Sequence, residues 1–268
     1  HEKNNAKFED VGQWKRAWYY PSGKENMYDA VQRESKAART NAGILDASTL
    51  GKIDIQGSDS SEFLNRVYTN AWNKLAIGKC RYGLMLNDDG MVYDDGVTTR
   101  LNENHYIMTT TTGGAATVMS KLEDFLQTEW PELNVYLTSV TDHFATVSIC
   151  GPNSKRILEK VTQNIDYSDT NFPHMSFKNG VIDKINCRVM RISFTGELSY
   201  EINVQANYGL SVWEKCIAAG KEYGITPYGT ETMHLLRAEK GFIIVGQETD
   251  GTVTPVDLQM DWIISKKK

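Results

Sequence analysis

The chain has 268 residues, 40% apolar and 24% charged, with 29 lysines and arginines against 34 acids and a formal charge of −5. That composition is globular, and the length suffices for one large domain or two lobes with sizeable cores. The acidic balance, with Lys266-Lys267-Lys268 as the one basic run, argues against nucleic acid or an anionic membrane as partner, and no apolar stretch is long enough to span a bilayer.

An amino-terminal segment comes first, with a helix predicted near Asn26–Ala42 and Gly43 as its left-handed stop. An alternating strand, Lys52–Gln56, then leads into "GSDSSEFLNRV" (Gly57–Val67), where Asp59 stands at the expected helix N-cap. Extended segments follow at Tyr82–Leu86, Met91–Thr98 and Tyr106–Thr112, then a helix over Gly113–Asp124 and a strand at Val135–Val140. The order then repeats. Strand Phe144–Cys150 leads into "GPNSKRILEKV" (Gly151–Val161) with Asn153 at its N-cap, then come extended Val181–Ile192 and Tyr200–Val204 and a helix over Asn207–Ala218. Gly229–Phe242 reads as a last helix, with Met233, Leu236 and Ala238 inward and Arg237 and Glu239 as an ion pair or as helix-face charges.

Both helix-bearing stretches recur at one offset of 94 residues, which points to an internal duplication. The predicted fold is α+β: two related lobes of antiparallel sheet covered by helices, a ferredoxin-like duplication. The expected boundaries are 1–50 for an amino-terminal segment packing on the second lobe, 51–141 for the first lobe, and 142–268 for the second lobe and the start of a connection. The cleft between two such lobes is the natural place for a ligand.

In "LNDDGMVYDDGVTTR" (Leu86–Arg100) a four-residue connection, Asn87–Gly90, would pair Leu86 with Met91 and set Tyr82 opposite Asp95. Alternation then groups Tyr82, Leu84, Leu86, Met91, Tyr93, Asp95 and Val97 on one face, against Arg81, Gly83, Met85, Val92, Asp94 and Thr98 on the other. Asp94, beside an arginine, reads as a solvated or salt-bridged acid. Asp95 is the one acid on an apolar, aromatic face, where burial raises basicity. It is a candidate for chemistry or, equally, for a structural hydrogen bond to Tyr82.

In "RISFTGELSYEINV" (Arg191–Val204), Tyr200, Ile202 and Val204 share one face and Ser199, Glu201 and Asn203 the other. By itself Glu201 is an ordinary strand acid, but a fixed carboxylate there can accept two parallel hydrogen bonds from an N–H/NH₂ edge. "TTTTGG" (Thr109–Gly114) either caps a helix or holds a polar ligand. The histidines lack the HxxxH and HExxH spacings of a metal site, and no GxGxxG or Walker loop occurs. Four cysteines, Cys80, Cys150, Cys187 and Cys216, stand apart without CxxC spacing, as isolated thiols do in a reducing, cytoplasmic setting. The chain opens on His1 and closes after Trp262-Ile263-Ile264, so both ends read as cut from a longer protein.

"GILDASTLGKIDIQG", "LNRVYTNAW", "RYGLMLNDDGMVYDDGV", "RISFTGELSYEINVQ" and "RAEKGFIIVGQETDGTVTP" together resemble the folate-binding aminomethyltransferase family. That family includes the glycine cleavage T-protein and the carboxy-terminal regions of sarcosine and dimethylglycine oxidases and dehydrogenases. The opening "FEDVGQWKRAWYYP" is most similar to the branch formed by alpha subunits of heterotetrameric sarcosine oxidases. The resemblance implies tetrahydrofolate bound between the lobes, with the family's essential aspartate at Asp95 and its pterin-facing tyrosine at Tyr82. It likewise implies folate-binding roles for Thr110, Thr111, Phe194 and Glu201. A methylene-iminium of glycine would be the one-carbon donor, other oxidase subunits the partners, and flavin would lie in parts of the parent enzyme outside this chain. Met233 stands where glycine-cleavage members carry an arginine, which makes a lipoyl-protein donor a poorer match. A non-catalytic folate-binding or assembly module, and a stand-alone folate-dependent aminomethyltransferase or demethylase, are the alternatives.

Overall fold

The computed structural model describes residues 1–268. Contacts divide the chain into two compact units, one of His1–Thr49 with Asp142–Phe242, the other of Leu50–Thr141 with Ile243–Lys268.

The second of these units holds β4 (Gly51–Gln56 in the numbering used throughout), α2 (Ser60–Val67), β5 (Cys80–Leu86), β6 (Val92–Asn102), β7 (His105–Thr110), α3 (Ala115–Asp124) and β8 (Tyr136–Ser139). Its five strands form an antiparallel sheet in the order β5-β6-β7-β4-β8. The four strands β6-β7-β4-β8, with the two helices between them in sequence, have the split order of a ferredoxin-like sheet, and β5 adds a hairpin at the edge. Alternation directs Ile53, Ile55, Tyr106 and Met108 to one face, where Phe63 and Leu64 of α2 and Val118 and Leu122 of α3 close the core.

The other unit holds β1 (Lys7–Val11), β2 (Trp14–Tyr19), α1 (Met27–Thr40), β3 (Ala42–Asp46), β9 (Phe144–Cys150), α4 (Ser154–Val161), β10 (Ser176–Ile182), β11 (Ile185–Arg191), β12 (Ser199–Gln205), α5 (Gly209–Gly220), β13 (Ile225–Pro227) and α6 (Thr230–Ala238). β1 and β2 form a separate hairpin, and the main sheet runs β10-β11-β12-β9-β3-β13. The duplication is therefore legible in three dimensions. α4 and α5 begin 94 residues after α2 and α3, and β10-β11-β12-β9 repeats β5-β6-β7-β4. The copies differ at the next position, where the strand beside β9 is β3, from the amino-terminal segment, and the strand that follows the second helix, β13, is displaced one place outward. One sheet face packs Val147, Ile149, Tyr200, Ile202 and Val204 against α4 and α5, and Leu45 and Cys150 on the opposite face meet Ala38, Tyr228 and Leu236.

Several expectations need correction. Residues 243–268 group with 50–141 rather than with the second lobe. Ile263, Ile243, Val245, Leu258 and Met260 form an apolar cluster with Leu84 and Val92 of the β5–β6 hairpin, and the Val92 amide donates to the Val253 carbonyl at 2.8 Å. Gly43 is not a left-handed stop. It lies inside β3, and a Cβ there would sit 2.8 Å from the Tyr228 ring, so close packing is what excludes a side chain. Asp59 and Asn153 stand at the N-caps of α2 and α4 without making the side-chain capping bond, and Asp59 instead accepts from the Asn134 amide at 2.8 Å. In α6 Leu236 is buried, but Ala238 is exposed and Arg237 buried. Arg237 donates to the Phe242 carbonyl at 2.9 Å, while Glu239 pairs with Arg39 at 2.7 Å. No helix is long and apolar enough to cross a membrane.

Candidate functional site

The β5–β6 hairpin carries the central pair. Its turn closes by Gly90 N–H donating to the Asn87 carbonyl at 2.9 Å, but its register is not the one that the turn composition suggests. Leu86 pairs with Val92 and Met85 with Asp94, so Tyr93 is an extra, bulged residue. Beyond the bulge Leu84 lies opposite Asp95 and Tyr82 opposite Val97, two residues from the expected pairing. A two-residue shift keeps every side chain of that stretch on its expected face. Tyr82 and Asp95 therefore meet diagonally, and the Tyr82 hydroxyl donates to Asp95 Oδ2 at 2.7 Å. Upstream the bulge reverses the assignment, so that Val92 joins Leu84 and Leu86 while Tyr93 packs toward the helices.

Asp95 is the half-buried acid of the pair. Its carboxyl is densely surrounded by protein atoms, while the residue as a whole keeps part of its surface exposed. Burial pushes its pKa up to about 7; the Tyr82 hydrogen bond opposes that rise and the neighbouring Asp94 adds to it. The Tyr82 phenol is itself pushed upward, by burial and then by Asp95, so it remains a donor at neutral pH.

Asp94 departs most from expectation. Rather than solvated, it is 1% exposed, and Arg81 turns away to donate to the Ala71 carbonyl and lie over the Trp72 ring. Asp94 Oδ1 accepts the Asp95 amide at 2.7 Å and the Thr111 amide at 3.1 Å, and Oδ2 accepts the Thr111 hydroxyl at 3.2 Å. Thr111 Oγ1 in turn accepts the Gly114 amide at 3.0 Å, at the start of α3. Gly114 is required here by close approach, since a Cβ would lie 2.0 Å from Asp94 Oδ2. Thr110, the last residue of β7, is buried and donates its hydroxyl to the Thr111 carbonyl at 3.0 Å. Of the anticipated residues, Tyr82, Asp95, Thr110 and Thr111 thus fall in one neighbourhood, joined through Asp94.

Phe194 and Glu201 belong to the other unit. Phe194 is half-buried in the β11–β12 connection, its ring nearly parallel to that of Phe242 at 6.5 Å between centroids and 23° between planes. Glu201 is a half-buried residue of β12, paired across the ladder with Met190 and Ser148, and its charge contributes to the elevated pKa of Tyr228. The alternation puts it opposite Tyr200 and Ile202, on the face away from α4 and α5.

Glu34 was not visible as a special residue in the sequence. Wholly buried in α1, it accepts the Tyr20 amide at 2.7 Å, the Gly229 amide at 3.0 Å and the Thr232 hydroxyl at 2.6 Å. The signal available was weak: a glutamate at the same helical face as Ala30, Ala37 and Ala38. Among the residues described, no group of histidine, cysteine and carboxylate side chains is disposed to hold a metal ion.

The profile of the GCVT N-terminal domain matches residues 1–268. The sarcosine oxidase alpha subunit of Corynebacterium sp. (strain U-96) is 58% identical over the whole chain, which spans 28% of that subunit's length. The corresponding subunit of Rhizobium meliloti (strain 1021) is 47% identical over the whole chain, which spans 27% of its length. An aminomethyltransferase of Geobacillus sp. (strain WCH70) is 30% identical over all of this chain and 70% of its own. Among solved structures, the glycine cleavage system aminomethyltransferase T of Bartonella henselae has the same fold, with a TM-score of 0.85 and 24% identity over 99% of this chain and 67% of that one. Matched from end to end by the profile and over two thirds of an aminomethyltransferase, the chain belongs to the GCVT N-terminal domain family.

Proposed function

We propose that this chain is the tetrahydrofolate-binding, one-carbon-transfer domain of a sarcosine oxidase. The observation that carries the reading is Asp95: a half-buried carboxyl with a pKa raised to about 7 and the Tyr82 hydroxyl as its hydrogen-bond donor. Such a group exchanges a proton readily at neutral pH, which a general base requires. The donor chemistry fits a reduced pterin. Asp95, with the Tyr82 hydroxyl beside it in the same unit, suits a secondary-amine N–H. Glu201, on β12 of the other unit, has by itself the chemistry for an N–H/NH₂ edge. Thr110, Thr111 and Tyr82 would contribute further polar and aromatic contacts from the unit that carries Asp95.

Tetrahydrofolate, when bound, supplies the amine nitrogens that take up the CH₂ of a methylene-iminium of glycine, with release of glycine and formation of 5,10-methylenetetrahydrofolate. Asp95 would accept the proton lost at the first attacking amine and return it to the departing glycine nitrogen, and the proton lost from the second amine on ring closure would end on the released glycine amine, so no external acid or base is consumed. Its negative charge also favours the cationic centre as it forms. Tyr82 holds the carboxylate in one orientation and lowers its basicity toward neutrality. The flavin that makes the iminium, and the subunits that hold it, belong to the rest of the parent protein. The identity of 58% with a sarcosine oxidase alpha subunit is what favours sarcosine as the amine.

The test is Asp95→Asn in the full-length protein. Tetrahydrofolate binding and sarcosine oxidation should persist, while methylenetetrahydrofolate formation falls by roughly 10²–10⁴-fold and formaldehyde appears in its place. An unchanged yield of methylenetetrahydrofolate would remove Asp95 from the chemistry.

A further inference from the structure

We propose that Asp94 is a positioning residue for Asp95: it clasps the Asp95 amide to the head of α3 and so fixes the direction in which the neighbouring carboxyl is presented. The inference rests on the reading of Asp95 as the base. Its geometric ground is independent of that reading. One carboxylate oxygen of Asp94 takes two amides, that of its own neighbour, Asp95 N at 2.7 Å, and that of a residue 17 positions from Asp94, Thr111 N at 3.1 Å, and the other takes the Thr111 hydroxyl at 3.2 Å. The backbone at Asp95 is therefore held by its own neighbour's side chain as well as by the β5 ladder. The clasp has no slack. Its outer wall is Gly114, where a Cβ would come within 2.0 Å of Asp94 Oδ2 and 2.6 Å of Thr111 Oγ1. The bulge at Tyr93 falls immediately before it, at the point where a strand can re-aim the side chains that follow.

The clasp also carries charge. Burial raises the pKa of Asp94 while its amide and hydroxyl donors oppose that rise, and its charge in turn raises that of Asp95. The other titratable groups facing the pair are phenols: Tyr82 from β5, Tyr93 of the bulge, and Tyr68 after α2. All three are raised, so they stay neutral and leave Asp94 as the acidic neighbour that adds to the rise that burial imposes on Asp95.

Two substitutions in the full-length protein separate orientation from charge. Asp94→Asn keeps an acceptor for both amides, and Asp94→Ala removes it. Infrared difference titration of the ligand-free protein, with the Asp95 band identified by its loss in Asp95→Asn, reads the proton directly. In Asp94→Asn the Asp95 titration should move to lower pH, and the rising limb of methylenetetrahydrofolate formation should move with it. In Asp94→Ala transfer should fall about 10²-fold, the scale of a displacement of about 1 Å at a reacting group, while the tetrahydrofolate Kd changes little. Should Asp94→Ala fail to fold, Thr111→Val, which removes one arm of the clasp, is expected to lower transfer in the same sense. Wild-type titration and transfer in Asp94→Asn, or full transfer in whichever of Asp94→Ala and Thr111→Val folds, would overturn the proposal. Failure of the underlying reading looks different: there, Asp95→Asn itself transfers normally.

Discussion

A carboxylate kept from water is a liability that folding alone would remove. Asp95 illustrates the cost. With a pKa of about 7 in the folded chain, against an ordinary carboxylate value near 4 when unfolded, it binds a proton more tightly in the native state. Stability contributed by such a group is therefore full below the unfolded value and is lost as pH rises to about 7, above which the deficit is constant. Asp95→Asn, which cannot ionise, should be more stable than the parent by on the order of 2–4 kcal/mol at pH 8. The gain should shrink as pH falls from 7 toward 4. Denaturant titrations at pH 5 and 8 measure it. A variant no more stable at pH 8 than at pH 5, relative to the parent, would mean that Asp95 is not held in a poorly solvated site. Alternation placed Asp95 on the face of Tyr82, and the two do meet in a hydrogen bond, because parity is a local property of a strand. It misjudged Asp94, because the groups that bury and satisfy it, Thr111 and Gly114, arrive from the end of a different strand.

At the scale of elements the same division holds. The repeat placed α2, α3, α4 and α5 at their observed spacing, since amphipathic helices after alternating strands are written in short-range pattern. The hairpin register was not so written. Its composition favoured a simple turn, whereas Val92 and Asp95 share the face of Tyr82 with two residues, Tyr93 and Asp94, between them, which takes an extra residue. A two-residue slip left the Tyr82–Asp95 contact intact, where a one-residue slip would have destroyed it. Glu34 shows the opposite case, in which sequence pattern carries almost no information about an element contact. Three donors from β2's end and the head of α6 converge on it. Glu34→Ala strands all three in a buried place, and should cost about 3–5 kcal/mol. Glu34→Gln keeps one acceptor oxygen and should cost clearly less. Chemical denaturation of the two variants decides the matter, and equal losses would show that helix packing rather than the acceptor joins α1 to α6.

For the molecule as a whole, the two sheets share one strand pattern, and the flanking segments make them unequal. The amino-terminal segment donates β3 to one sheet, next to β9. Residues 243–268 return to the other unit and pack on the face of its β5–β6 hairpin that carries Leu84 and Val92. The sequence could not reveal that return, because the segment is mostly irregular and its apolar residues follow neither strand nor helix period. Its consequence is that the hairpin bearing Tyr82 and Asp95 is clamped from chain ends far apart: Tyr82 itself packs in the cluster that Ile263 completes. Ile263 is buried against Leu84 and Val92, and Ile263→Ala should cost about 2–4 kcal/mol, mostly as an unfilled cavity. The loss should be local. Hydrogen exchange of the full-length protein should show faster exchange in β5, β6 and the segment around Val253, with β9 to β12 unaffected. Methylenetetrahydrofolate formation should decline as the hairpin loosens, while sarcosine oxidation continues. Uniform acceleration across both units would instead mean that the chain unfolds as a single cooperative body, and that the segment supports the whole rather than the hairpin.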